Sequence, residues 1–153
     1  MLLTTHLMGF LQGQLFIGLL ASLANIGVHA LIMAALSWAA HRTSAVTQAA
    51  GARLRLVLVM MSTVSVLMGA HLVEIAIWAA TYALVGAVPE RVDALYFAFV
   101  NYTTLGYGDI VPIPRWRILG PMAAMNGVLL FGWSTAVIYD VLRTVAQVIP
   151  MRG

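Results

Sequence analysis

Few side chains in this sequence can do chemistry, and they stand in small groups. His71 and Glu74 are three apart in one apolar run, and Asn25 and His29 are four apart in another. At helical spacing each pair shares a face. Ionisable groups in apolar surroundings need a named partner, so Asn25 and His29 are expected to meet His71 and Glu74. Such a foursome serves either as a proton sensor that biases a gate or as a hydrogen-bonded clamp between helices, and the clamp is the expected use. Asp140 and Arg143, one turn apart, suit a local ion pair or a charged ring. A third group is a string, Thr103-Thr104-Leu105-Gly106-Tyr107-Gly108-Asp109, in which Gly106 and Gly108 permit positive φ. The absences are as informative. The chain has no Cys and no Lys, which removes disulfides, thiolate metal sites, thiol catalysis and Schiff bases. No nucleophile–base pair and no multi-ligand transition-metal cluster is legible, so no enzyme is expected. Met60, Met61, Met68, Met122 and Met125 read as packing, not as a metal path.

The elements that hold these groups follow from composition. Of 153 residues, 62% are hydrophobic and 8% charged, where soluble domains carry about a quarter charged. A soluble core of this size cannot hide so much apolar surface, so hydrocarbon is the main solvent. The net charge of +3 rests on eight Arg against five carboxylates, too few for a nucleic-acid stripe. Leu15 to Ala40 has no formal charge with His29 neutral, and as a helix it measures about 39 Å. After a polar break from His41 to Arg55, the run Leu54 to Gly86 is apolar beyond Arg55 except for His71, Glu74 and a few hydroxyls. At about 50 Å it exceeds a ~30 Å hydrocarbon core and must tilt or protrude. Asp93 to Thr104 is too short to span, and Ile118 to about Val145 spans again. The N-terminal run lacks a basic leader and is too long for a signal h-region, so a spanning helix is expected there. The expectation is an all-α membrane protein in a single domain, 1–153: an N-terminal helix 15–40, an outer helix 54–86, a re-entrant half-helix 93–104, a loop 104–109 and an inner helix 118–147. Arg42, Arg53, Arg55, Arg143 and Arg152 on one side against Arg91, Arg115 and Arg117 on the other favour an outside N-terminus and a cytoplasmic C-terminus. Two Arg, Arg53 and Arg55, are interfacial anchors, not a voltage sensor.

Irregular backbone at membrane depth survives only when buried in protein or lining a water-filled path. The Thr103–Asp109 string resembles the selectivity filter of the potassium channel pore family, in which four loops present carbonyl rings that replace the ion's water. The resemblance covers roughly Leu54 to Val145 and leaves the N-terminal helix unexplained. It implies a homotetramer, with Thr104, Leu105, Gly106 and Tyr107 supplying K+ oxygens and Gly108 and Asp109 supporting them. Leu105 and Tyr107 are then expected to point away from the axis and brace the loop. Ala94-Leu95-Tyr96-Phe97 looks like the family's pore helix, whose paired aromatics form a cuff around the filter. Trp116 lies where the family often has a Trp. Asn126 to Gly132 matches the inner helix, with Gly127 at the hinge position. The chain departs from the pattern at Phe97, which replaces a Trp that donates a hydrogen bond towards the filter tyrosine. It departs also at Val100, where some bacterial relatives carry a Glu, and at Asn101 and Tyr102.

Beyond Gly127, helical spacing places Val128, Phe131, Thr135, Tyr139 and Arg143 on roughly one face. By the same resemblance that face lines a cavity, with Phe131, Thr135 and Tyr139 as gating candidates. The expected function is passive K+ conduction across the cell inner or plasma membrane, with K+ as permeant ion and no cofactor. The expected partners are three further copies of the chain and the lipid bilayer, with neither nucleic acid nor a small-molecule substrate. The rival readings are a non-conducting membrane assembly or sensor subunit and a weakly selective cation channel.

Overall fold

The computed structural model describes residues 2–43, 52–88 and 91–147. Four α-helices follow one another: α1 Leu2–Thr43, α2 Ala52–Val85, α3 Arg91–Tyr102 and α4 Leu119–Gln147, the last preceded by a 3-10 turn at Pro114–Trp116. Three stretches are long and apolar enough to cross a membrane, Leu11–Ala39, Leu56–Val85 and Pro114–Val145. The chain is an all-helical membrane protein. α1 begins well before Leu15 and runs to Thr43, because no Gly-Pro or charge break interrupts its first turns. α3 starts at Arg91 and stops at Tyr102, so Thr103 and Thr104 belong to the turn, not to the half-helix. The side chains of Arg42, Arg53, Arg55, Arg91 and Arg152 lie outside the described residues.

Side-chain contacts fix the packing order. Gln14 meets Ile118, Asn25 meets Asn126, and the His29 and Trp133 rings are 5.2 Å apart. α1 and α4 therefore run side by side in the same direction. α2 runs opposite to both, with Glu74 beside Asn25 and His29, and with Leu67 beside Met33 in a second cluster. α3 is lodged between α2 and α4. In α1 the buried residues Gln14, Ser22, Asn25 and His29 recur at spacings of three, four and eight, with Gly18 filling the gap. They form one polar stripe along the helix. Gly18 on that stripe faces Met122 and Leu119 of α4.

Local signals explain the ends. Gly86, with φ 64°, follows α2 and lets the Ala87 N–H donate to the Tyr82 carbonyl at 2.9 Å. That is the six-to-one closure of a helix stopped by a left-handed glycine. The Ile113 N–H donates to the Ala87 carbonyl at 3.0 Å, tying the loop after the Gly-rich string to the end of α2. Gln14 Oε1 accepts from the Ile118 N–H at 3.0 Å, so α1 caps the start of α4. Two apolar clusters result. One surrounds Trp78, Tyr82, Tyr102 and Leu119, and the other joins Met33, Leu67, Val137, Val141 and Val145. A polar layer separates them.

Candidate functional site

The loop after α3 is built on the helix's last carbonyls. The Thr103 N–H donates to Phe99 O at 3.0 Å and the Thr104 N–H to Asn101 O at 2.9 Å. The Val100 carbonyl then accepts from both Leu105 N–H, at 2.9 Å, and Gly106 N–H, at 3.2 Å. The loop thus starts curled over the C-terminal, partially negative end of α3. Positive φ recurs at every second residue: Thr104 61°, Gly106 58° and Gly108 76°, whereas Leu105 and Tyr107 keep negative φ. The two glycines do what the sequence asks of them. Thr104 is the surprise, because a β-branched residue rarely enters this region. Its neighbours on both sides are held by hydrogen bonds, which keeps it there. All of Thr103–Asp109 is exposed, with Leu105 at 53% and Tyr107 at 67%. Within one chain, then, Leu105 and Tyr107 do not pack as a brace.

Only one of the two expected cuff aromatics reaches this loop. The Tyr96 hydroxyl donates to Asp109 Oδ2 at 2.7 Å, a bond that raises the phenol's pKa. Phe97 is buried and turns back to α2, edge-on to Tyr82 with ring centroids 4.9 Å apart. Asp109 Oδ1 also accepts from the Ile110 N–H at 3.1 Å. Trp116 is buried, with the Arg115 guanidinium 5.2 Å from its ring.

Behind the loop lies the polar layer. His29 Nδ1 is 2.7 Å from Glu74 Oε1, and His71 Nδ1 is 2.8 Å from Glu74 Oε2. The Tyr102 hydroxyl donates to Glu74 Oε2 and stands 3.1 Å from His71 Nδ1. His71 Nε2 lies 3.0 Å from the Ser134 hydroxyl of α4. Asn25 Nδ2 donates to the Glu74 carbonyl and to Asn126 Oδ1, at 3.3 Å and 2.9 Å, and Trp78 Nε1 donates to the same Asn126 oxygen at 3.1 Å. The four residues expected to meet do meet, and all four helices contribute. A carboxylate only accepts, so each imidazole must carry its proton on Nδ1 to bond it. A ring nitrogen from each of His29 and His71 and a carboxylate oxygen of Glu74 lie within 4.8 Å of one another, the juxtaposition that the sequence led one to expect. Their spacing is that of direct hydrogen bonds. His29 Nε2 has no partner, whereas a metal-ligating imidazole commonly donates its second N–H. The layer is therefore a hydrogen-bond network.

Tyr102, Ser134, Trp78 and Asn126 are members of this layer that the sequence did not assign to it. Asn126 and Ser134, eight apart on α4, share the buried face, a spacing that marks them in retrospect. The local ion pair expected of Asp140 and Arg143 does not form, whereas Glu74 makes ion-pair contacts with His29 and His71. Both of these side chains are exposed, where solvent serves each charge as well as the partner does. Of the gating candidates, Thr135 and Tyr139 are exposed, Tyr139 at 66%. Phe131 instead turns partly inward, edge-on to His71 and Tyr102 at 4.6 Å and 5.4 Å. Gly127 is buried where α4 meets the end of α3, and a Cβ there would fall on the Tyr102 carbonyl oxygen. Close approach, before any bending, demands this glycine. Among the methionines, Met122 packs on Gly18, whereas Met61, Met68 and Met125 are exposed.

The span from α2 through the loop to α4 matches a known pattern. Residues 70–144, just under half of the chain, match the model of a family described as Ion channel. Over that span the chain is similar to ion channels. No curated protein and no solved structure matches it. The ion-channel match takes in His71, Glu74, α3, the loop and most of α4, and leaves α1 outside.

The junction at Asn126 gives a direct test of how α1 is held. Asn126→Ala strands two donors, Trp78 Nε1 and Asn25 Nδ2, and should cost about 1–3 kcal/mol. Asn25→Ala leaves the Trp78 bond intact and should cost about 0.6 kcal/mol, the usual interhelical value in a membrane. Thermal unfolding in detergent should rank them in that order, and equal losses would place the docking energy elsewhere.

Proposed function

We propose that this chain is one subunit of a potassium-selective channel that conducts K+ passively through a pore of four copies. The supporting observation is the alternation of positive and negative φ across Thr104, Leu105, Gly106, Tyr107 and Gly108. In such alternation successive N–H groups converge on one side of the strand, which leaves the carbonyls to the other. A row of exposed carbonyls offers K+ a substitute for its hydration shell. One loop supplies one edge of such a site, so several chains must surround the ion, and the resemblance to potassium channel pores sets the number at four. The oxygens of Thr104, Leu105, Gly106 and Tyr107 are the ligands, with Gly108 and Asp109 shaping the outer mouth. Exposed Leu105 and Tyr107 are then braced by neighbouring copies, and Val128, Thr135 and Tyr139 remain free to line the path below. The membrane is the cell's inner or plasma membrane, with the N-terminus outside and the C-terminus cytoplasmic, an orientation that the Arg distribution favours.

Purified protein in liposomes should pass K+ much faster than Na+. Barium, close to K+ in size and doubly charged, should lodge in the carbonyl site and block. Equal K+ and Na+ flux without barium block would mark a weakly selective cation channel. The absence of any flux from assembled protein would mark a non-conducting assembly or sensor subunit.

A further inference from the structure

We propose that Glu74 is a positioning residue for the filter, acting through Tyr102, and that α1 takes part because His29 holds the same carboxylate. The inference rests on the channel reading above and concerns what keeps the loop in its conducting shape.

Thr104 sits at φ 61°. A non-glycine residue there is strained, and strain of this kind persists only where the surroundings over-determine the backbone. Two residues earlier, Tyr102 is fixed at three places. Its carbonyl is pressed against Gly127, its ring meets Phe131 edge-on and His71 at a tilt, and its hydroxyl donates to Glu74. Glu74 is in turn immobilised: it is fully buried, with His29 on one oxygen and His71 on the other. The Val100 side chain is apolar, and that residue holds the loop through its carbonyl. Beyond the hydrogen bonds that α3's own carbonyls accept from Thr103 to Gly106, a polar side-chain tie links the inner end of the filter to other helices, running from Tyr102 to Glu74 and His29. Cutting it frees Thr104 to relax towards negative φ, which turns its carbonyl out of the row.

Tyr102→Phe cuts the tie and keeps the ring. In reconstituted protein, K+ flux should then decay about tenfold faster, the size that a lost hydrogen bond to a charged group supports. The K+/Na+ ratio should fall, and raised K+ should slow the decay by occupying the site. Glu74→Gln should act in the same direction and serves if Tyr102→Phe fails to assemble. His29→Ala should also quicken the decay, but add nothing in the Tyr102→Phe background, because both act on one chain of contacts. Thr104→Gly removes the strain, so Tyr102→Phe in that background should leave decay at the Thr104→Gly rate. Wild-type protein without K+ flux would overturn the channel reading itself. Wild-type flux with unchanged decay and selectivity in Tyr102→Phe, or fully additive effects of Tyr102→Phe and His29→Ala, would overturn this proposal alone.

Discussion

Gly127→Ala should leave little assembled protein, whereas Gly132→Ala, little more than a turn away on α4, should be tolerated. The added methyl at Gly127 would fall on the carbonyl oxygen of Tyr102 and 3.0 Å from its carbon. Both atoms are backbone, so neither can swing aside as a side-chain end does. Relief requires α4 to move off the end of α3, which opens the packing around Trp78, Tyr102 and Leu119. Overpacking typically costs about 1–3 kcal/mol and more where backbone is displaced, so Gly127 stands at or above the upper end. At Gly132 an added Cβ meets no heavy atom within 4 Å, and alanine gains up to about 1 kcal/mol of helix propensity. Gly18→Ala should lie between them, since the atom it meets is the flexible end of Met122. Size-exclusion yield and melting temperature in detergent would give the order. A Gly127→Ala protein that melts with wild type would mean that α3 and α4 stand further apart than described.

Gly106→Ala should do the reverse, sparing assembly and removing conduction. Space is not the obstacle, because the nearest atom to an added Cβ is the Thr104 carbonyl oxygen at 4.0 Å. The obstacle is φ, which is 58°. Holding alanine in the left-handed region costs about 1–2 kcal/mol, a shift of roughly five- to thirty-fold in each loop's conformer ratio. The proposed pore of four loops would take that shift four times. Barium-sensitive K+ flux should be lost while size-exclusion behaviour stays that of wild type. Retained flux in Gly106→Ala would mean that the left-handed turn is not the conducting shape.

The contrast between these glycines shows what a sequence can reveal. The Thr103–Asp109 string and the three apolar runs were legible because both are local: a run of types in order, at a period or at none. The meeting of Asn25 and His29 with His71 and Glu74 was legible because buried polar groups in hydrocarbon have few other places to go. Tyr102 was not, since an aromatic at the end of a half-helix looks the same whether it faces lipid, a neighbour or a carboxylate. Gly127 was read as a hinge from its place in the family pattern, and the reason it must be glycine lies in another element's carbonyl. The left-handed Thr104 carries no compositional mark at all. Asp140 and Arg143 failed to pair because spacing sets reach without supplying the burial that makes an ion pair worthwhile.

The polar stripe of α1 has a consequence for how the chain is made. Gln14 finds its partner at Ile118, just before α4, Asn25 finds partners on α2 and α4, the last of the described helices, and His29 finds its own on α2. During synthesis the first helix leaves the ribosome long before those partners exist. Polar groups left unpaired in lipid are costly, and the α1 stripe gains its full set of partners only once α4 has been made. A chain that ends before Ile118 therefore leaves Gln14 without the N–H it accepts from and Asn25 without Asn126, an unfinished polar seam along α1.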